Sequence, residues 1–147
     1  MKLLTKYFGE IEYSGKDVLS FPKGLFAFED EKEFLLLPFS GSGGTLLCLQ
    51  SLTTSQLAFV AMNPFSLHTA YTPLLQPEEL EEMGVADSTE LCYYVLCAVK
   101  NPVSTSTVNL KCPIVINDET RRCMQVILDG DDYGMRHLLA EFEEKEE

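Results

Sequence analysis

The chain has 147 residues, 46% of them apolar, and a formal net charge of −12. This length and composition predict one domain with an apolar core and exclude a chain that is disordered throughout. So acidic a surface disfavours direct binding to nucleic acid and favours a basic protein partner.

The five cysteines lie inside apolar runs and form no C-x-x-C pair, which predicts small buried thiols in a reducing compartment. They are Cys48, Cys92, Cys97, Cys112 and Cys123. Lys6 and Glu10 interrupt the apolar segment that a signal peptide would need near the N-terminus. No apolar stretch reaches the length of a membrane span. We therefore expect a cytoplasmic protein without a membrane-spanning segment.

In chain order, short runs rich in Leu, Val, Ile, Phe and Tyr alternate with turn residues, which is typical of strands. These runs cover residues 3–13, 17–21, 34–39, 45–51, 57–62, 91–99, 108–116 and 124–128. The glycine-rich segment 41–44 lies between two of them and predicts a hairpin connection. Spacing this close leaves little room for crossover helices. The sequence therefore predicts a mainly β fold, a compact antiparallel β-barrel-like single domain over residues 1–147.

Two helices are expected to interrupt the strands. The first lies near 77–84, where Pro77 opens the segment, glutamates follow and Gly84 closes it. The second is an acidic C-terminal helix or tail at about 131–147, with Asp131 or Asp132 as its cap. Its apolar residues recur with helical spacing and are Met135, Leu138, Leu139 and Phe142.

No constellation for chemistry is apparent. His68 and His137 are the only histidines, and no serine lies in a G-x-S-x-G elbow. The segment 41–44 lacks the Gly-Lys-Ser/Thr ending of a P-loop. Cys92 and Cys97 are five residues apart, so on a strand they would point to opposite faces and could not share a metal. We expect no enzymatic activity, no cofactor and no metal.

The end of the chain concentrates negative charge. Eight acidic and two basic side chains in residues 129–147 give −6. Negative charge at the C-terminal end of a helix opposes the helix macrodipole, so these groups do not help their own helix. Two interpretations stay open, a solvated end and a docking element for a cationic partner. The residues concerned are Glu141, Glu143, Glu144, Glu146 and Glu147.

The run around residues 109–117 predicts a strand with an unusual feature. Pro113 cannot donate to a sheet, so it is expected at an edge or a bulge. Asn109 and Asn117 would then fix the ends of the strand through side-chain hydrogen bonds to backbone.

A series of short motifs keeps its order and spacing over most of the chain. They are Thr5–Ile11, Phe21 with Gly24-Leu25 before Phe28, Phe34–Pro38, Leu49–Ser51, Asn63–Phe65, Asn109–Asn117 and Gln125 before Val126–Leu128. Together they resemble the FliW family of flagellar assembly factors, from about Thr5 to Gln125. Ala27 stands where that family usually has glycine, so we expect a backbone that avoids positive φ there. Cys112 replaces the usual alanine, which fits a buried site.

The resemblance implies a function as well as a fold. It implies a protein that binds flagellin and, alternatively, the RNA-binding carbon storage regulator CsrA, which represses flagellin translation. We expect the protein to be monomeric. By antagonising CsrA, such a protein controls flagellin translation without touching RNA or membrane itself. An alternative is a flagellin-specific chaperone with no translational-regulator partner. A small enzyme of unknown type is a third possibility, which the missing catalytic set opposes.

Overall fold

The computed structural model describes residues 1–39, 46–100, 102, 105–130 and 132–139. Within these ranges the strands are β1 Lys2–Leu4, β2 Glu10–Glu12, β3 Leu19–Ser20, β4 Glu33–Pro38, β5 Leu46–Ser51, β6 Ala58–Met62, β7 Cys92–Ala98, β8 Thr107–Val108, β9 Ile114–Ile116, β10 Cys123–Gln125 and β11 His137–Leu138. The α-helices are α1 Pro64–Leu67 and α2 Pro77–Met83, and short 3₁₀ turns occupy Gly15–Asp17 and Ser88–Glu90. The mainly β prediction is confirmed.

One antiparallel sheet organises the domain, in the order β10-β9-β7-β6-β5-β4-β3. The long strand β7 pairs with β9 near its start and with β8 near its end, and β8 also pairs with β11. The two ends of the sheet meet at one parallel bridge between Ser20 and Arg122. There the Ser20 amide donates to the Arg121 carbonyl at 2.9 Å. The sheet therefore curls into a barrel-like shape, and among the described residues one bridge joins its two ends.

The sheet separates two apolar cores, because successive side chains on a strand point to opposite faces. On β7, Tyr94 and Leu96 pack against the inner core. Tyr93 and Val95 belong to the outer core, which the segment from α1 to the second 3₁₀ turn covers. The inner core contains Leu19, Phe21, Leu25, Phe34, Leu49, Ile114, Ile116 and Cys123.

The predicted first run, 3–13, is a hairpin of two short strands. β1 and β2 pair antiparallel, with Leu3 opposite Ile11. The turn between them closes on the Gly9 carbonyl, which accepts from the Thr5 amide at 2.8 Å and from the Thr5 hydroxyl at 2.7 Å. Beside it, the Lys6 amide donates to the Gln50 side chain on β5. The hairpin thus covers part of the outer face of the sheet.

The connection between β4 and β5 contains the predicted hairpin segment 41–44, which lies outside the described residues. The two strands it joins are antiparallel neighbours, with Pro38 opposite Leu47 at their shared end.

The helix predicted near 77–84 is confirmed as α2. Pro77 occupies its first turn, and the Glu79 side chain accepts from the Gln76 amide to form a capping box. Gly84 ends the helix in the left-handed conformation with φ of 73°, which glycine adopts without steric cost.

The predicted C-terminal helix is wrong over residues 132–139. These residues carry β11, in which His137 pairs with Val108 and Leu138 with Thr107. Met135 and Leu138 are 52% and 44% exposed, and Leu139 packs against the outer core. Here the backbone N–H and C=O groups form hydrogen bonds with β8 instead of the hydrogen bonds of a helix. Phe142 and the rest of residues 140–147 lie outside the described part.

The expected backbone at Ala27 is also wrong. Ala27 has φ of 70°, the left-handed region that costs an alanine about 1–2 kcal/mol. The flanking residues hold it there, since Leu25 and Phe28 exchange two backbone hydrogen bonds of 3.2 and 2.8 Å. The Phe26 amide also donates to the Gln125 side chain at 3.0 Å. Tertiary contacts thus override the preference of this alanine.

Candidate protein-binding surface

Few groups in the described part are arranged for chemistry. No group of three or more His, Cys, Asp or Glu side chains there could hold a metal ion. His137 accepts a hydrogen bond from the Gly134 amide at 2.7 Å, and His68 caps the end of α1. Among these residues, no helix has the length and apolar character needed to span a membrane.

Burial raises the pKa of all five thiols, which makes them poor nucleophiles. Cys48, Cys112 and Cys123 are buried, Cys97 is half-buried and Cys92 is exposed. Burial raises the pKa of Cys48 to about 11 and that of Cys123 to about 12, so both stay protonated at neutral pH and are poor nucleophiles. The prediction of buried thiols is wrong for Cys92, which is the first residue of β7, pairs with Ile116 of β9 and exposes its side chain.

An apolar groove opens beside the outer core. It has a volume of about 310 Å³, at the lower end of the range for ligand pockets. The residues that line it are Phe65, Tyr71, Thr72, Pro73, Leu74, Ser88, Thr89, Leu91 and Tyr93. We refer to it as the aromatic groove. It contains no charged side chain, so it suits an apolar group of a partner.

The walls of the aromatic groove are ring carbons rather than hydroxyls. Tyr71 donates its hydroxyl to the Leu110 carbonyl at 2.7 Å, and Tyr93 donates to the Ser88 carbonyl at 2.6 Å. Burial accordingly raises the pKa of Tyr93 to about 12. The Phe65 ring lies 5.8 Å from the Tyr71 ring and 6.2 Å from the Tyr93 ring. Because both hydroxyls are satisfied inside, a partner need not supply a polar group there.

Acidic side chains flank the groove and the helix beside it. Asp87 and Glu90 stand on either side of the groove residues Ser88 and Thr89, and both are exposed. Hydrogen bonds from Thr89 lower the pKa of Asp87, so this carboxylate is ionised at neutral pH. On α2, Glu82 bonds to Lys23 at 3.1 Å across the surface. The exposed Asp87 and Glu90 thus place negative charge beside Ser88 and Thr89 in the sequence, whereas the charge of Glu82 is paired with Lys23.

The structural motif predicted from Asn109, Pro113 and Asn117 lies at the start and end of β9. Pro113 directly precedes β9, where its carbonyl accepts from the Val126 amide at 3.2 Å. The Asn109 side chain accepts from the Cys112 amide at 3.0 Å. Asn117 donates to the Met83 carbonyl at 2.9 Å and so ties the end of β9 to α2. The predicted run is two strands rather than one, because β8 ends at Val108, a bend follows at residues 110–112 and β9 begins at Ile114.

The tail glutamates predicted to contact a partner, Glu141, Glu143, Glu144, Glu146 and Glu147, lie outside the described residues. Sequence reasoning did not find the aromatic groove, which joins residues 65–74 to residues 88–93. One signal was available. Leu74 lies between two prolines in a stretch without strand or helix periodicity, and such a residue is often exposed for contact.

Comparisons with known proteins agree over the whole described chain. The family model described as FliW protein matches residues 2–139. The flagellar assembly factor FliW of Geobacillus kaustophilus is 39% identical over 139 residues, which are 95% of this chain and 95% of that protein. The protein of the same name from Syntrophomonas wolfei is 35% identical over 147 residues, all of this chain and 94% of that protein.

A solved structure has the same fold. The crystal structure of a flagellar assembly factor FliW superposes with a TM-score of 0.87 at 37% sequence identity. The match covers 95% of this chain and 96% of that one. The sheet order and the segment that covers its outer face therefore belong to a known architecture.

Proposed function

The chain belongs to the FliW family of flagellar assembly factors, and on that premise we propose that it is a non-enzymatic cytoplasmic protein that binds flagellin and antagonises the translational regulator CsrA. By holding CsrA off the flagellin messenger, it controls flagellin translation. When flagellin accumulates, flagellin occupies this protein and releases CsrA, which closes a feedback loop.

The observation that carries the proposal is the acidic surface. The net charge is −12, and Glu78, Glu81, Asp87 and Glu90 are among its exposed acids. A surface of this sign accelerates encounter with a basic, RNA-binding protein and repels RNA itself. Acids bound near such a regulator also lower its affinity for RNA without covering the RNA site, which is an allosteric route.

We assign the contact with CsrA to the glutamates of the tail. They are Glu141, Glu143, Glu144, Glu146 and Glu147, and their concentrated charge is the reason for the assignment. Exposed ion pairs contribute about 0–1 kcal/mol each, so five of them act together mainly on encounter rate and specificity. Flagellin binds elsewhere, on an apolar surface of the sheet domain.

The test is a titration of labelled CsrA with the purified protein, with and without flagellin. We expect a complex with CsrA that added flagellin dissociates, and no shift of RNA in a gel with this protein alone. Binding to flagellin without binding to CsrA would instead identify a flagellin-specific chaperone. A salt-sensitive complex with RNA alone would overturn the antagonist function.

A further inference from the structure

Residues 132–139, which we call the C-terminal strap, are held against the outer face of the sheet at both ends. Near the start of the strap, the Thr72 amide donates to the Tyr133 hydroxyl at 2.8 Å. At its end, the Leu139 amide donates to the Ser106 carbonyl at 3.0 Å, and the Leu139 side chain packs against the outer core. The strap therefore covers part of that core.

The bend in the middle of the strap is closed by His137. The Gly134 amide donates to His137 Nε2 at 2.7 Å. The Gly134 carbonyl accepts from the amides of Leu110 and Lys111, both at 3.1 Å. The backbone of Gly134 is thus bonded on one side to the imidazole and on the other to the bend that precedes β9. His137 therefore holds the residue through which the strap is attached to that bend.

The contact with Gly134 fixes the protonation state of His137. A backbone N–H can only donate, so Nε2 is the acceptor and carries no proton. The neutral ring accordingly has its proton on Nδ1. When the ring takes up a second proton, Nε2 becomes a donor as well, and two N–H groups face each other across 2.7 Å. The hydrogen bond is then lost, and the bend must open to separate the two donors.

Among the described residues, the neighbours of His137 across the sheet are uncharged at neutral pH. His137 is opposite Val108, which is opposite Cys97 on β7, so the three side chains share one face. Burial raises the pKa of the Cys97 thiol, which therefore stays protonated. The charged or titratable side chains on and beside the strap include Asp132, Arg136, Lys111 and His68. The first two are exposed, the third donates to a backbone carbonyl at 2.7 Å, and the fourth faces the Tyr133 ring. The bond to Gly134 is thus the described contact that a charged His137 must break.

We propose that His137 is a pH-sensitive latch for the C-terminal strap, closed when the imidazole is neutral and opened when it is protonated. Histidine is the side chain that ordinarily changes its charge between about pH 5 and pH 8. Because the closed strap accepts only the neutral ring, the latch stabilises it at the alkaline end of this range and loses that effect as the pH falls. Opening uncovers the part of the outer core on which Leu139 packs.

Nuclear magnetic resonance of the full chain tests the latch directly. At about pH 7.5, the ring nitrogen chemical shifts of His137 should show the proton on Nδ1. Hydrogen exchange of the Leu110 and Lys111 amides, corrected for the intrinsic effect of pH, should be about two- to tenfold faster at about pH 5.5 than at about pH 7.5. A proton on Nε2 at the higher pH, or equal corrected rates at the two pH values, would overturn the proposal.

Two substitutions at position 137 separate the titration from the contact. His137→Gln keeps an acceptor oxygen that does not titrate, so the effect of pH on the exchange of these amides should disappear. His137→Phe removes the acceptor at every pH, so exchange should be fast at both pH values. Slow exchange in His137→Phe at the higher pH would show that the bond does not hold the strap, and the latch would be refuted.

The matched control is His68→Gln, which removes the other histidine of the chain. The His68 ring lies 6.4 Å from the Tyr133 ring, so it is the second group on this face that could respond in the same pH range. This variant should keep the full effect of pH on the Leu110 and Lys111 amides. Loss of the effect in His68→Gln, or its persistence in His137→Gln, would assign the response to a group other than His137.

Discussion

Gly24 supports the turn that carries Phe26 and Phe28, and replacing it by alanine should destabilise the protein strongly. Gly24 has φ of +67°, and a Cβ atom added there would lie 2.5 Å from the Glu29 carbonyl oxygen. A real Cβ does not approach backbone atoms so closely, and backbone cannot rotate away as the end of a long side chain can. The main chain of residues 24–29 would therefore have to move.

The chain offers a matched control at Gly9. Its φ is +66°, nearly the same as that of Gly24, but nothing lies within 4 Å of an added Cβ. Gly9→Ala therefore carries only the left-handed conformational cost of about 1–2 kcal/mol, partly offset by the stiffer unfolded chain. Gly24→Ala carries the same cost and about 1–3 kcal/mol more for the overlap. The difference between the two variants isolates the close approach.

Urea unfolding followed by circular dichroism measures both free energies, provided that the slope with denaturant stays the same. We expect Gly24→Ala to lose about 2–4 kcal/mol and Gly9→Ala about 1 kcal/mol. Equal losses in the two variants would refute the steric argument and would show that φ alone determines both effects.

Three further predictions follow from other parts of the chain. Ala27→Gly should raise the free energy of unfolding by about 0.5–1 kcal/mol, because glycine removes the cost of the left-handed conformation and adds a smaller entropic one. Stability should fall as pH rises from about 9 towards 11, since Cys48 and Cys123 keep their protons in the folded protein and lose them in the unfolded chain. Changing the five glutamates of residues 141–147 to glutamine should weaken CsrA binding by about 1–3 kcal/mol at low salt and flatten its salt dependence.

Each of these has its own control. Ala86→Gly, at an exposed position outside the left-handed residues, should destabilise slightly, and a gain there equal to that of Ala27→Gly would contradict the strain argument. Serine at both Cys48 and Cys123 should reduce the alkaline loss; an unaltered pH profile would assign it to other groups. For the tail, glutamine at the exposed Glu78 and Glu81 of α2 should affect CsrA binding less than the tail change. Equal effects would mean that net charge alone matters.

The sequence predicted the central strands well because their signals are local. The runs that became β4, β5 and β6 lie within a residue or two of the observed strands, since each is a continuous apolar stretch. Helix α2 was equally predictable, because Pro77 and Gly84 mark its ends with conformations that few other residues adopt.

The prediction of a C-terminal helix was wrong over residues 132–139 because the spacing of four apolar residues is a weak signal. Four apolar residues at helical spacing also fit a short strand that follows a turn, and only pairing with β8 distinguishes the two. That pairing joins residues about 30 apart in the chain, which no local pattern encodes. The positive φ of Ala27 was indicated only by the glycine that the family usually has there, because the hydrogen bond from Phe26 to Gln125, which spans 99 residues, is not encoded locally. The aromatic groove likewise exists only when two distant segments meet.

The position of the C-terminal segment bears on how two partners could exclude each other without sharing a site. Tyr133 contacts Tyr71 and Thr72, which line the aromatic groove, and Leu139 packs on the same outer core just before the acidic tail. A ligand in the groove therefore acts on residues that are in van der Waals or hydrogen-bond contact with the segment that leads to the tail. If flagellin and CsrA are the two partners, coupling of this kind is reciprocal, so the factor by which each weakens the binding of the other must be the same. Simple competition for one surface would instead allow no ternary complex at any concentration, so a search for that complex with both partners at saturating concentration distinguishes these cases.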